Sequence, residues 1–171
     1  MPEILRTRDV IVFVKGEVFT ANIDNTLAVE GWTGGTGCQY VESPNDEFIV
    51  TRSDGYAAGF LLWGSDEVPD DFTGMTRNQP TYKFGVVFAG GGLIATSSYE
   101  RYTLASRGGG PLVPITYNPS DRLFFSLRGL WTKENEWTLS GDPRAPNASV
   151  GSVAQVPTPA LNDFMTIQVV L

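Results

Sequence analysis

Apolar positions along this chain come in short bursts separated by turn-forming residues. The bursts run Val10 to Val14, Glu17 to Ile23, Glu47 to Arg52, Tyr56 to Trp63, Thr81 to Ala89, Arg122 to Leu127 and Phe164 to Leu171. Each is rich in the β-branched and aromatic residues that suit a pleated, half-buried surface. The last shows the period directly: Met165, Ile167 and Val169 alternate with Thr166 and Gln168, so one face is apolar, and a terminal strand of this kind needs a partner. Between Tyr117 and Glu136, the cluster Asn118-Pro119-Ser120-Asp121 breaks the chain, Leu123, Phe125 and Leu127 fall on one face of a strand, and Gly129 breaks it again. No window of a dozen residues keeps an i, i+3, i+4, i+7 apolar stripe free of Gly and Pro, so at most one short helix is predicted.

Nineteen glycines and eleven prolines spread along the chain supply turns and bulges rather than a low-complexity tail. The pattern therefore predicts an all-β chain: a single compact β-sandwich or β-barrel-like domain over residues 1–171 with long Gly/Pro-rich loops. Two such loops are expected, Gly64 to Pro80 and Gly141 to Pro159. Residues 1–9 precede the first strand as an N-terminal arm or a frayed end. The glycine triplets Gly90 to Gly92 and Gly108 to Gly110 have unrelated flanks, which disfavours a repeat architecture.

With 171 residues, a domain of this size buries roughly 70% of its unfolded surface and carries its own core. Charge narrows the partners. The net charge is −7, and Lys and Arg are scattered, so no basic footprint for a phosphate backbone is present and nucleic acid is not an expected partner. The start lacks a basic region followed by an apolar run, and the charge-free stretch Phe84 to Ala95 is too short for the ~20 apolar residues of a spanning helix. A soluble protein without a membrane partner is expected.

Candidate chemistry is sparse. Histidine is absent, which removes the side chain best placed to move protons near neutral pH and the mechanisms built on it. Cys38 is the only cysteine; it follows a glycine run with no basic residue close in sequence and reads as an inert thiol. The run Gly31-Trp32-Thr33-Gly34-Gly35-Thr36-Gly37 lacks the Lys-Ser/Thr ending of a phosphate loop and reads as a turn or bulge. Asp66, Glu67, Asp70 and Asp71 offer oxygen ligands to calcium, but a solvated loop is the preferred reading. Asn147-Ala148-Ser149 fits a glycosylation triplet by coincidence. A carboxylate-only glycosidase would need two facing acids, and nothing selects a pair. No catalytic residue, metal ligand or cofactor is assigned.

The segment Tyr117 to Glu136 resembles a pattern in capsid decoration (cement, or head-stabilisation) proteins of tailed phages, where a Tyr-x-Pro-Gly-Asp turn precedes a short strand and then Gly-Leu-x-Thr. Ser120 stands at the glycine of that pattern, and Arg128 stands where Asn or Asp would precede Gly129. Asp54-Gly55-Tyr56-Ala57-Ala58-Gly59-Phe60-Leu61-Leu62 and Val150-Gly151-Ser152-Val153 with the strand from Phe164 are similar in style. The resemblance implies a β-rich virion protein, made in the bacterial cytoplasm, that sits on the capsid exterior, commonly as a trimer, and clamps the major capsid protein without a reaction. Under that expectation Ile4 and Leu5 of the arm, with Trp131 and Trp137, are the candidate partner contacts. Lys133, Glu134 and Glu136 lie between the two tryptophans and place at least one at a polar rim, where tryptophan often anchors a partner. The alternative is a carbohydrate- or receptor-binding module of a phage tail or head fibre, with Trp32, Trp63, Trp131 and Trp137 as stacking platform; burial of these rings is the plainer reading.

Overall fold

The computed structural model describes residues 5–6, 10–41, 49–54, 59–62, 64–65, 84–141, 149–159 and 163–170, with backbone alone for β1, for residues up to 20, for Asn25 and for 84–90. Ten strands appear among these residues: β1 (Leu5–Arg6), β2 (Val10–Ile23), β3 (Gly37–Val41), β4 (Ile49–Arg52), β5 (Gly59–Leu61), β6 (Phe84–Thr96), β7 (Arg122–Phe125), β8 (Trp131–Thr132), β9 (Gly151–Gln155) and β10 (Met165–Val170). The described strands curl into two half-barrel sheets, so the all-β expectation holds.

Strands β2 and β6 form the long antiparallel ladder of the molecule, in register from Val10 opposite Thr96 to Asn22 opposite Phe84. From this ladder one curl closes through β4, β3 and β5: β4 runs parallel to the end of β2, β3 lies between β4 and β5, and β5 returns to β6. The other curl leaves the second half of β6 through β10, β9, β7 and β8. It comes back on itself where Trp131 bridges Tyr99, just past the end of β6.

Each curl encloses a core. Ile23, Leu27, Trp32, Cys38, Val50 and Leu61 fill the first; Phe60, Ile94, Leu123, Phe125, Trp131 and Ile167 belong to the second. Consecutive residues of β5, Phe60 and Leu61, serve different cores, as the alternation of a strand requires. In β10, Met165, Ile167 and Val169 are buried while Gln168 and Val170 are exposed, as the sequence pattern predicts.

Several expectations need correction. Among the described residues three short helices occur rather than at most one: α1 (Asn25–Glu30), α2 (Leu104–Arg107) and α3 (Glu136–Leu139). Each is set by its cap and not by an apolar stripe; Asp24, Thr103 and Asn135 accept from Thr26 N, Ser106 N and Thr138 N, the role short oxygen-bearing side chains play at helix starts. The bursts Val10 to Val14 and Glu17 to Ile23 are one strand, because Lys15 and Gly16 keep the ladder. The expected loop Gly141 to Pro159 contains β9, with Gly151 and Val153 inward. Leu127 is not on the strand face; β7 ends at Phe125 and Leu127 lies exposed in the turn. Leu5 pairs with Val12 of its own chain, whereas Ile4, the acidic loop and Asn147 lie outside the described residues. No helix among the described residues is long and apolar enough to cross a membrane.

Candidate functional site

The chain turn from β7 to β8 gathers a set of polar and charged side chains. Tyr117 leads in, its hydroxyl donating to Glu100 O at 2.7 Å. Asn118 N then donates to Asp121 Oδ2 at 2.8 Å, while Ser120 holds φ at 71° and donates its N–H to Val153 O at 2.8 Å. After β7 the turn closes with Ser126 N to Leu130 O at 2.8 Å. Gly129 takes φ of 73°, and a Cβ there would lie 2.5 Å from Arg52 Cγ and 2.9 Å from Gly37 O, so only glycine fits the approach of the turn to the first curl.

Behind this turn two carboxylates are buried, Glu100 with 1% and Glu136 with 0% of its surface exposed. Arg107 of α2 reaches both: one nitrogen donates to Glu100 Oε1 at 2.9 Å and the other is paired with Glu136 Oε1. Arg128 of the turn adds a bidentate grip on Glu100, from Nε at 3.0 Å and from its terminal nitrogen. That hydrogen bonding holds the Arg128 guanidinium above its ordinary pKa. Leu127 N donates to Glu136 Oε2 at 3.2 Å. Both oxygens of each carboxylate are therefore engaged by cations or a backbone amide, the arrangement a buried charge needs if its desolvation is to be offset. It fixes geometry; it leaves no oxygen of the pair uncommitted for proton transfer.

Arg128 also lines an open groove of about 490 Å³, shared with Trp32, Thr33, Arg52, Ser65 and Leu130. Arg52 donates to Gly31 O at 3.1 Å and lies 3.5 Å from Glu30 Oε2. The glycine run forms the loop beside it, packed too closely for a phosphate: a Cβ on Gly37 would sit 2.5 Å from the Phe125 ring. Thr96 and Ser98 hydroxyls both donate to Gly34 O, at 3.0 and 2.6 Å. Cys38 is fully buried and its thiol is pushed from 9.0 up to about 12 by that burial, which suppresses the thiolate.

The tryptophans are corrected by their burial. Trp131 is 0% exposed, its indole N–H donating to Gly35 O at 2.8 Å, with Phe125 and Phe60 at centroid distances of 4.5 and 6.1 Å. Trp137 is 2% exposed. Neither stands at a polar rim; of the charged residues between them, Lys133 and Glu134 stay partly exposed, while Glu136 is buried against Arg107 and the Leu127 amide. Trp32 is buried too, and the Trp63 side chain lies outside the described residues, so the described rings form no sugar-stacking platform. Among the described residues no three His, Cys, Asp or Glu converge as metal ligands.

The sequence reading missed Glu100, Arg107, Glu136 and Arg128 as a set. The signal available was local: Glu136 follows Asn135, a helix-capping residue, and Arg128 replaces a turn former. The pairing itself joins residues up to 29 apart and is visible only in three dimensions. Comparison of the chain with known protein families, with curated proteins and with solved structures gives no match.

Proposed function

We propose that the protein is a non-catalytic virion component that binds the outer surface of an icosahedral phage capsid as a homo-oligomer, a trimer by resemblance, and stabilises the major capsid protein lattice. The observation that carries this reading is the backbone of Ser120. The decoration-protein pattern has glycine at that place, and Ser120 adopts φ of 71°, the left-handed conformation glycine takes without cost. Ser120 thus holds a backbone conformation that glycine favours, which supports the reading. The other departure, Arg128, is supported by a second role, the grip on Glu100.

A rigid presentation surface suits a protein that acts by binding, since groups already fixed in place lose less freedom on association. The carboxylate and arginine set does this for the β7–β8 turn and for the chain around α2. With Trp131 and Trp137 in the interior, the exposed apolar side chains Leu112, Val113, Leu127 and Leu139 replace them as contact candidates.

The test is sedimentation of purified protein with undecorated capsids. Binding at micromolar protein, saturating at a fixed ratio to the major capsid protein, is expected; absence of co-sedimentation at that concentration refutes the reading.

A further inference from the structure

Between α2 and β7 the chain leaves the body of the molecule and returns to it. Residues 108–114 are exposed without exception, and Leu112 and Val113 are 54% and 53% exposed. Among the described residues no hydrogen bond holds 109–112. Gly109 and Gly110 take positive φ, with nothing within 4 Å of where a Cβ would stand. Pro111 and Pro114 bracket the two apolar residues, and a proline restrains the residue before it to extended backbone. Val113 is so restrained, and an extended segment is the form a protein groove takes up as an added strand.

The flanks of this loop are fixed. Thr103 N donates to Val113 O and Ile115 N to Arg101 O, both at 2.9 Å. Arg107 is spent on the two buried carboxylates. Arg101 lies over the Tyr99 ring, 4.6 Å from its centroid, and donates to the Tyr99 hydroxyl at 2.8 Å. Both arginines beside the loop are therefore withheld from an external pocket, whereas the Leu112 side chain is offered to one.

A break here would sever the chain without severing a core. Strands β1 to β6 come before the loop and β7 to β10 after it, and the two parts are built into one another. Strand β10 pairs with β6 from Met165 opposite Thr96 to Val170 opposite Gly91. Trp131 N donates to Ser98 O at 3.0 Å, Gly37 N to Gly129 O at 2.8 Å and Leu104 N to Glu134 Oε2 at 2.8 Å. The second core joins Phe60, Ile94 and Tyr99 from before the loop to Phe125, Trp131 and Ile167 from after it.

We propose that the Leu112–Val113 bond is a processing site, hydrolysed in the folded protein by a serine endoprotease with an apolar specificity slot, and that the two fragments remain one folded body. Water adds across the peptide bond: the Leu112 carbonyl carbon takes the hydroxyl, the Val113 nitrogen takes the proton, and nothing is oxidised or reduced. The new carboxylate and ammonium lie at exposed positions, where chain ends are tolerated. The inference does not rest on the capsid reading, which sedimentation tests separately.

The experiment is limited digestion of the native full chain with chymotrypsin, read by fragment mass and gel filtration. A product beginning at Val113 is expected, eluting together with its partner fragment at the volume of the intact chain. Melting of the cut protein should shift to lower temperature on dilution, since unfolding now separates two molecules. Leu112→Asp should abolish that product, because an apolar slot does not accept a carboxylate. Ile167→Val, a core change far from the loop, should leave the rate at this bond unchanged. A cut that required global unfolding would instead speed up by about two- to tenfold, following the larger unfolded population. The proposal is overturned by any of four results: no Val113 product under conditions that cut this bond in the heat-unfolded chain, a rate that rises in Ile167→Val, fragments that elute apart, or trypsin cutting Arg107–Gly108 as fast as chymotrypsin cuts Leu112–Val113.

Discussion

Removing the indole of Trp131 takes away a ring in contact with Phe125 and Phe60 and leaves the Gly35 carbonyl without its donor. Trp131→Ala should cost about 3–5 kcal/mol in denaturant unfolding, whereas a residue whose role is only at a partner surface would cost little. Ser120 offers the opposite sign. Its φ of 71° is strained for serine, so Ser120→Gly should be neutral or stabilising by up to about 1 kcal/mol, the relief of left-handed strain less the added freedom of the unfolded chain. Cys38, Tyr99 and Tyr117 set a pH dependence. Burial pushes the Cys38 thiol from 9.0 up to about 12 and raises both phenols above 10.0. The native chain therefore keeps protons that the unfolded chain releases, and stability falls as pH rises. The contribution is complete below about pH 9 and, for Cys38, is lost as pH climbs to about 12. Unfolding midpoints measured from pH 8 to 11 should decline, and Cys38→Ala should flatten the decline; an unaltered slope would show that the thiol has no part in it. At this scale the sequence disclosed what was absent, histidine above all. It did not disclose burial, since Trp131 and Glu136 look alike accessible when only their neighbours along the chain are read.

Elements defined by alternation were legible and those defined by caps or small residues were not. The period-two pattern of β10 and the β-branched run of β2 announce themselves, because side chains alone decide them. Strands β3 and β9, Gly37–Val41 and Gly151–Gln155, each open on glycine and mix small, polar and apolar residues without a long apolar alternation, so their place is decided by the strands they lie between. Single-turn helices depend on one capping side chain each and carry no period to detect. The β7–β8 turn illustrates how an element of this kind is enforced. Gly129→Ala would force a side chain onto Arg52 and the Gly37 carbonyl at a φ of 73°; a loss of about 2 kcal/mol or more in unfolding is expected. For the segment from Arg101 to Ile115, Arg107→Met strips the shared cation from Glu100 and Glu136 and should destabilise by about 3–5 kcal/mol, since a buried carboxylate is left without its partner. Hydrogen exchange should then quicken from Thr103 to Ile115 before it quickens in β10; equal acceleration in both would mean that this segment is not held by Arg107.

On the scale of the whole molecule, the all-β architecture followed from composition and pattern together, but the closure of two curls did not. It needs the return of β8 to Tyr99 and the parallel meeting of β2 with β4, long-range pairings that no local pattern encodes. The functional reading also belongs to this scale, since it concerns a surface and a partner, and capsid sedimentation tests it. Strand β6 has a mechanical meaning beyond its place in the sheet. Its first half closes one curl, its second half opens the other, and β2 is zipped along both. Pulling the two ends of that ladder apart would load every rung in both halves at once, so neither curl can yield while the other stays whole. A molecule wired this way should resist a steady outward strain up to one threshold and then fail in a single step, the behaviour of a rivet more than of a spring.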